Sequence, residues 1–161
     1  MNNKTVYLTR GALIAALYVA LTYVSALFGL SSGAIQFRLS EMLCILPIFM
    51  PEAILGLTIG CLLANLLTGA VIWDVIFGAL ATLIGAVGAR LLRRLPNRLI
   101  FISTLPTVVA NTVIVPLVLI YAYGAANAFH FLALTVCLGE VVTAAGLGTA
   151  LYYTLKKSNL L

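Results

Sequence analysis

The stretch FRLSEMLCILPIFMPEAILGLTIGCLLANLLT, residues 37–68, decides how this chain folds. It is apolar except for a few residues such as Arg38, Glu41, Glu52 and Asn65, and Pro47 and Pro51 interrupt it. Proline removes an N–H from a helix interior and disfavours helix at the residue before it. The stretch is therefore one kinked helix or two separate ones. One helix gives the chain five membrane crossings, and two give six.

Positive charge chooses between them, because cytoplasmic helix ends gather Lys and Arg. Five crossings put Arg93, Arg94, Arg98, Lys156 and Lys157 opposite Lys4 and Arg10. Six crossings put every Lys and Arg except Arg38 on the side of the N-terminus. The reading is six.

The remainder of the chain fits a membrane. Hydrophobic residues make up 63% and charged ones 8%, and mean hydropathy is +1.18. Apolar runs of about 17–25 residues are candidate spanning helices. The first, residues 8–30, is expected to span rather than to be a secretory signal. It is too long, it contains Arg10, and no small-residue cleavage site precedes a soluble domain. Residues 1–161 are read as one all-α integral membrane domain of six transmembrane helices with both termini cytoplasmic. The expected spans are 6–30, 37–50, 51–68, 73–92, 99–123 and 128–155, with a loop at 31–36 and a basic segment at 93–98. The net charge of +5 lies at helix ends and does not argue for nucleic acid. Cys44, Cys61 and Cys137 form no CxxC pair and read as small buried hydrophobes.

The second span is short. Residues 37–50 as an α-helix cover roughly 21 Å, against a hydrocarbon core of about 30 Å. With its inner end held at the Pro51 turn, its outer end stops below the surface. Arg38 and Glu41 then line a depression open to the outside. Gln36, Phe37, Ser40, Trp73 and Asp74 complete this cluster, which suits the mouth of a pocket for a small, planar, polar molecule.

Each polar residue has a structural use beside a functional one. Glu140, near the middle of the last run, is costly in lipid and should face the bundle interior with a partner. That partner is a neighbouring helix or a ligand. Glu41 can pair with Arg38 three residues before it, and Asp74 can complement the helix dipole. Trp73 is an interfacial belt residue or a stacking platform. Glu52, after Pro51, is ordinary helix-start chemistry. Asn65 lies near the outer end of the third span, and Asn111 in mid-helix should hydrogen-bond inward. Asn127 reads as the N-cap of the last span, and His130 as an interfacial residue one turn in.

Small residues recur at four-residue spacing: Ala12, Ala16 and Ala20; Gly56, Gly60 and Ala64; Ala144 with Gly148; Gly146 with Ala150. Such stripes let helices approach closely in lipid, and the first could instead dock a separate protein. Walker, GxSxG and HExxH motifs and Cys/His metal spacings are absent. The chain is too small for the two inverted halves of many carriers. Neither a catalytic residue nor a metal or cofactor is expected.

Arg38, Ser40 and Glu41 ahead of a short helix are followed by Pro51 with Glu52, then Gly56, Gly60 and Asn65. Next come Asp74, Val75, Ile76, Phe77 and Gly78, with Ala81, Thr82 and Leu83. In this order they resemble the QueT family, the queuosine-precursor S components of energy-coupling factor (ECF) transporters. The similarity runs over nearly the whole chain and is sharpest over residues 36–83.

The resemblance implies a six-helix, multi-pass subunit of the bacterial cytoplasmic membrane with cytoplasmic termini. It would bind its ligand near the outer face and work with an ECF coupling membrane protein and two ATPases. The implied ligand is a deazapurine, 7-aminomethyl-7-deazaguanine or a relative such as queuine. Ala12, Ala16 and Ala20 would contact the coupling protein. Glu140 or Glu41 would accept the two N–H donors of the guanine edge, and Asp74 would pair with the aminomethyl cation. Trp73 would stack, and Asn65, Asn111 or Asn127 would read the carbonyl, with Arg38 and His130 in the same outer group. Competing readings are an S component for another vitamin, a free-standing carrier or a membrane enzyme.

Overall fold

The computed structural model describes residues 3–30 and 37–158. The 31–36 loop, with Gln36, lies outside the described residues. Those described form α-helices α1 (Asn3–Leu27), α2 (Glu52–Leu67), α3 (Ile72–Leu91), α4 (Leu105–Tyr121), α5 (Phe129–Glu140) and α6 (Gly148–Lys157). Two 3-10 helices, Leu39–Ile48 and Asn97–Thr104, and a π-helical segment, Val141–Leu147, complete the set, with no strand among the described residues. Four continuous helical stretches are long and apolar enough to cross a membrane: Lys4–Leu27, Ile72–Leu91, Asn97–Tyr121 and Phe129–Lys157. Leu39–Ile48 and Glu52–Leu67 are shorter apolar helices. The chain is a multi-pass membrane protein.

Residues 37–68 are two helices, separated at Pro51, and contacts show that they run in opposite directions. Arg10 reaches Glu52 near the start of both α1 and α2. Tyr23 donates to the Leu67 carbonyl at 2.9 Å near the end of both. α1 and α2 are thus parallel neighbours, which requires the Leu39–Ile48 helix to carry the chain back between them. Arg90, at the end of α3, donates to the carbonyls of Pro47 and Ile48 at 3.0 Å each, and Lys156 donates to Asn97 at 2.6 Å. These contacts gather basic residues from separate helices at one end of the bundle.

The expectation for the short helix needs one correction. It is 3-10, not α, over the ten residues Leu39–Ile48. At about 2.0 Å rise per residue it covers roughly 20 Å, close to the length expected, but with a different face pattern. Residues three apart eclipse one another in a 3-10 helix, so Glu41 and Cys44 stack along one edge. Runs this long are uncommon because the hydrogen-bond geometry is poorer. This one is enclosed: every residue from Leu43 to Ile48 is buried, packed against α1, α2, α3, α6 and the π segment. A helix that meets protein on all sides need not match the thickness of lipid.

Small residues make the close contacts. A Cβ on Gly56 would lie 2.6 Å from the Gly11 carbonyl oxygen, and one on Gly60 would lie 2.8 Å from the Tyr18 Cβ. The Gly56–Gly60 stripe is therefore the α1–α2 interface. Gly148 faces the Met42 backbone of the 3-10 helix. Ala12, Ala16 and Ala20 lie on the exposed side of α1.

Candidate functional site

Polar side chains from five helices meet around the N-terminal turn of the buried 3-10 helix, in two groups joined by the Arg38–Glu41 turn (Glu41 N–H to Arg38 carbonyl, 3.0 Å).

The inner group is built on carboxylates. Glu41 is 1% exposed and Glu140 7%. The Asn111 amide, on α4, donates to Glu140 Oε1 at 2.9 Å and lies 3.5 Å from Glu41 Oε2. One amide group thus bridges two acids that are far apart in sequence. The Tyr18 hydroxyl donates to Glu41 Oε1, and the Cys44 thiol donates to Oε2 at 3.3 Å. The second oxygen of Glu140, Oε2, is buried without a partner among the described residues. A buried carboxylate oxygen left unmatched is costly. The π segment starts immediately after Glu140, and π segments within α-helices frequently sit at functional sites.

The outer group carries the cation. Arg38 donates to Asn65 Oδ1 at 2.6 Å, and its Nε is enclosed without a partner among the described residues. Asn65 is fully buried and donates to the Asp74 carbonyl at 3.2 Å. Gly78 makes room for it, since a Cβ there would lie 2.8 Å from Asn65 Nδ2. The Tyr123 hydroxyl donates to Asp74 Oδ2 at 3.0 Å and accepts the Val71 N–H at 3.2 Å. Partial burial pushes the Tyr123 phenol above its ordinary value; the Val71 amide opposes this and the Asp74 carboxylate adds to it. Tyr123 therefore remains a neutral donor.

Arg38, Glu41, Asn65, Asp74, Asn111 and Glu140 thus converge. The Arg38–Glu41 pairing that helical spacing allows does not form: the guanidinium turns to Asn65 and the carboxylate to Tyr18 and Asn111. Glu140 has the interior setting and interhelical partner that its cost in lipid demands.

Three of the expected residues stand apart. Trp73 is 54% exposed, stacks on Phe77 at 6.1 Å, and lines an apolar groove of about 380 Å³ between α3 and α4. His130 is exposed on the first turn of α5, edge-on to Phe129. Asn127 is exposed, and the N-cap of α5 is Ala128, with no side-chain capping bond. The cap reading is corrected: the helix begins one residue later, beyond the reach of that amide. Tyr18 and Cys44 were not anticipated. Tyrosine and cysteine are as common in apolar cores as in sites, and only their i, i+3 or cross-helix partners set them apart.

Comparison with known proteins gives a family and one curated relative. The family described as QueT transporter matches residues 8–157. A Lactococcus lactis subsp. cremoris (strain MG1363) protein named "Queuosine precursor transporter QueT" is 44% identical over 82 residues, 51% of this chain and 48% of the relative. The match thus spans about half the length of that relative. No solved structure matches the chain.

Proposed function

This chain belongs to the QueT transporter family, and from that premise we propose that it is the substrate-binding S component of an ECF importer in a bacterial cytoplasmic membrane. In this reading the bundle crosses six times, with Arg10, Arg90 and Lys156 at the cytoplasmic end. The Arg38–Glu41 turn lies toward the outer face. The substrate is a queuosine precursor, 7-aminomethyl-7-deazaguanine or queuine. A separate coupling protein, met along Ala12, Ala16 and Ala20, and two ATPases then drive delivery.

One observation carries the ligand assignment: two buried carboxylates share a single amide, with one oxygen unmatched and no cation on either among the described residues. A guanine edge offers two adjacent N–H donors, which a carboxylate accepts together. Glu140, through Oε2, is the acceptor favoured here, with Glu41 beside it. Asp74 lies nearer the Arg38 end and suits the aminomethyl cation. Asn65 and Asn111 are the amides within reach of a carbonyl.

Calorimetric or thermal-shift titration of the purified protein with deazapurines and common vitamins tests this. A ligand that binds only the folded state stabilises it by about 2.7 kcal/mol at one hundred times Kd. Stabilisation by a deazaguanine and not by vitamins is expected. The reverse pattern would assign the same architecture to another substrate. Uptake into vesicles is expected only when the coupling protein, the ATPases and ATP are present, and uptake by the chain alone would make it a free-standing carrier.

A further inference from the structure

Three hydroxyls lie along one face of α1, at Tyr18, Thr22 and Ser25, with the spacing i, i+4, i+7 that keeps helical residues aligned. They meet three consecutive residues of the 3-10 helix in reverse order. Ser25 Oγ accepts the Leu39 N–H at 2.9 Å. Thr22 Oγ1 donates to Ser40 Oγ at 2.9 Å. Tyr18 donates to Glu41 Oε1. We propose that Tyr18 is a positioning residue for ligand recognition, and that this ladder lets α1 set the direction of the Glu41 carboxylate.

The geometry explains why the last rung is tyrosine. Seven residues of α-helix advance about 10 Å, whereas two residues of 3-10 helix advance about 4 Å. The two helices therefore draw apart in register toward residue 18, and only a long side chain closes the gap. Tyr18 is 1% exposed, and α2 packs closely on the base of its side chain. Gly60 of α2 sits so close that a Cβ there would lie 2.8 Å from the Tyr18 Cβ and 3.0 Å from Ala15. A buried side chain packed this closely at its Cβ holds its hydroxyl in one direction. With Oε1 of Glu41 held by the phenol, Oε2 is left facing Cys44 and the Asn111 amide that Glu140 shares.

The proposal rests on the deazaguanine reading of this cluster, so its test separates the two. Tyr18→Phe keeps the ring and removes the donor. In the full-length purified protein, Kd is measured for 7-aminomethyl-7-deazaguanine and for the analogue lacking the 2-amino group. Positioning predicts that the first weakens about tenfold, the scale of one hydrogen bond to a charged group, while the second changes little. Equal weakening of both ligands, or of neither, overturns the proposal, since a purely structural tyrosine would lower stability without narrowing discrimination. Thr22→Val, one rung along, is the second variant and should narrow the same discrimination by a smaller factor; no narrowing counts against the ladder. A ligand-free readout is the carboxyl infrared band that disappears in Glu41→Gln. That band should move in Tyr18→Phe, and a stationary band overturns the proposal. If the band moves but the wild-type protein binds no deazaguanine, the ligand reading fails while the hold of Tyr18 on Glu41 stands.

Discussion

Buried acids at the two ends of the bundle are treated differently. At the basic end Glu52 is 5% exposed, and Arg10 answers it at 3.4 Å across the α1–α2 interface. Around the 3-10 turn Glu41 and Glu140 are equally enclosed, yet a neutral amide joins them, and the nearby cation, Arg38, is committed to Asn65. An acid beside its own cation is a structural element. Two enclosed acids without one are the groups to which the proposed function assigns the donors of a ligand.

Substitutions can break or sharpen this contrast. The largest loss is expected for Glu140→Gln: removing the carboxylate with the unmatched oxygen should weaken deazaguanine binding about 100-fold by calorimetry, the upper scale for hydrogen bonding to a charged group. Glu41→Gln should follow at about 30-fold, because Asn111 and Glu140 stay in place. If both variants bind as the wild type does, the guanine-edge assignment is wrong. Asn111→Ala leaves two acids without their bridge, and about tenfold weaker binding should accompany a lower melting temperature. Glu52→Gln should leave binding unchanged and cost at most about 1 kcal/mol of stability, since Arg10 is over half exposed. A binding loss there as large as that of Glu140→Gln would erase the distinction between the ends. Trp73→Ala should likewise leave affinity unchanged, because the indole faces the α3–α4 groove; a large loss would bring that ring into the site.

How much of this was readable depended on the kind of residue. Glu41, Asn65, Asn111 and Glu140 announce themselves because a polar group in an apolar run is costly and needs a partner. The partners were another matter. Arg38 and Glu41 have the spacing of a helical pair, but a 3-10 helix anchored by α1 turns the two side chains apart. Trp73 and Asp74 are neighbours in the chain, yet the helical period sends Trp73 and Phe77 outward and Asp74 and Gly78 inward. Tyr18 carried no signal of its own, since its role exists only across the α1–3-10 contact.

Composition and charge placement by themselves determined that this is a helical membrane protein, that residues 37–68 are two helices rather than one, and which polar residues must be enclosed. Those conclusions follow from hydrophobicity and from the energy of placing charge, which are local to each stretch. The structure alone decided that the short helix is 3-10 and lies inside the bundle, that Asn111 joins Glu41 to Glu140, and that α1 grips the turn through three hydroxyls. Each of these depends on which helix faces which, and packing between distant segments leaves no local trace in a sequence.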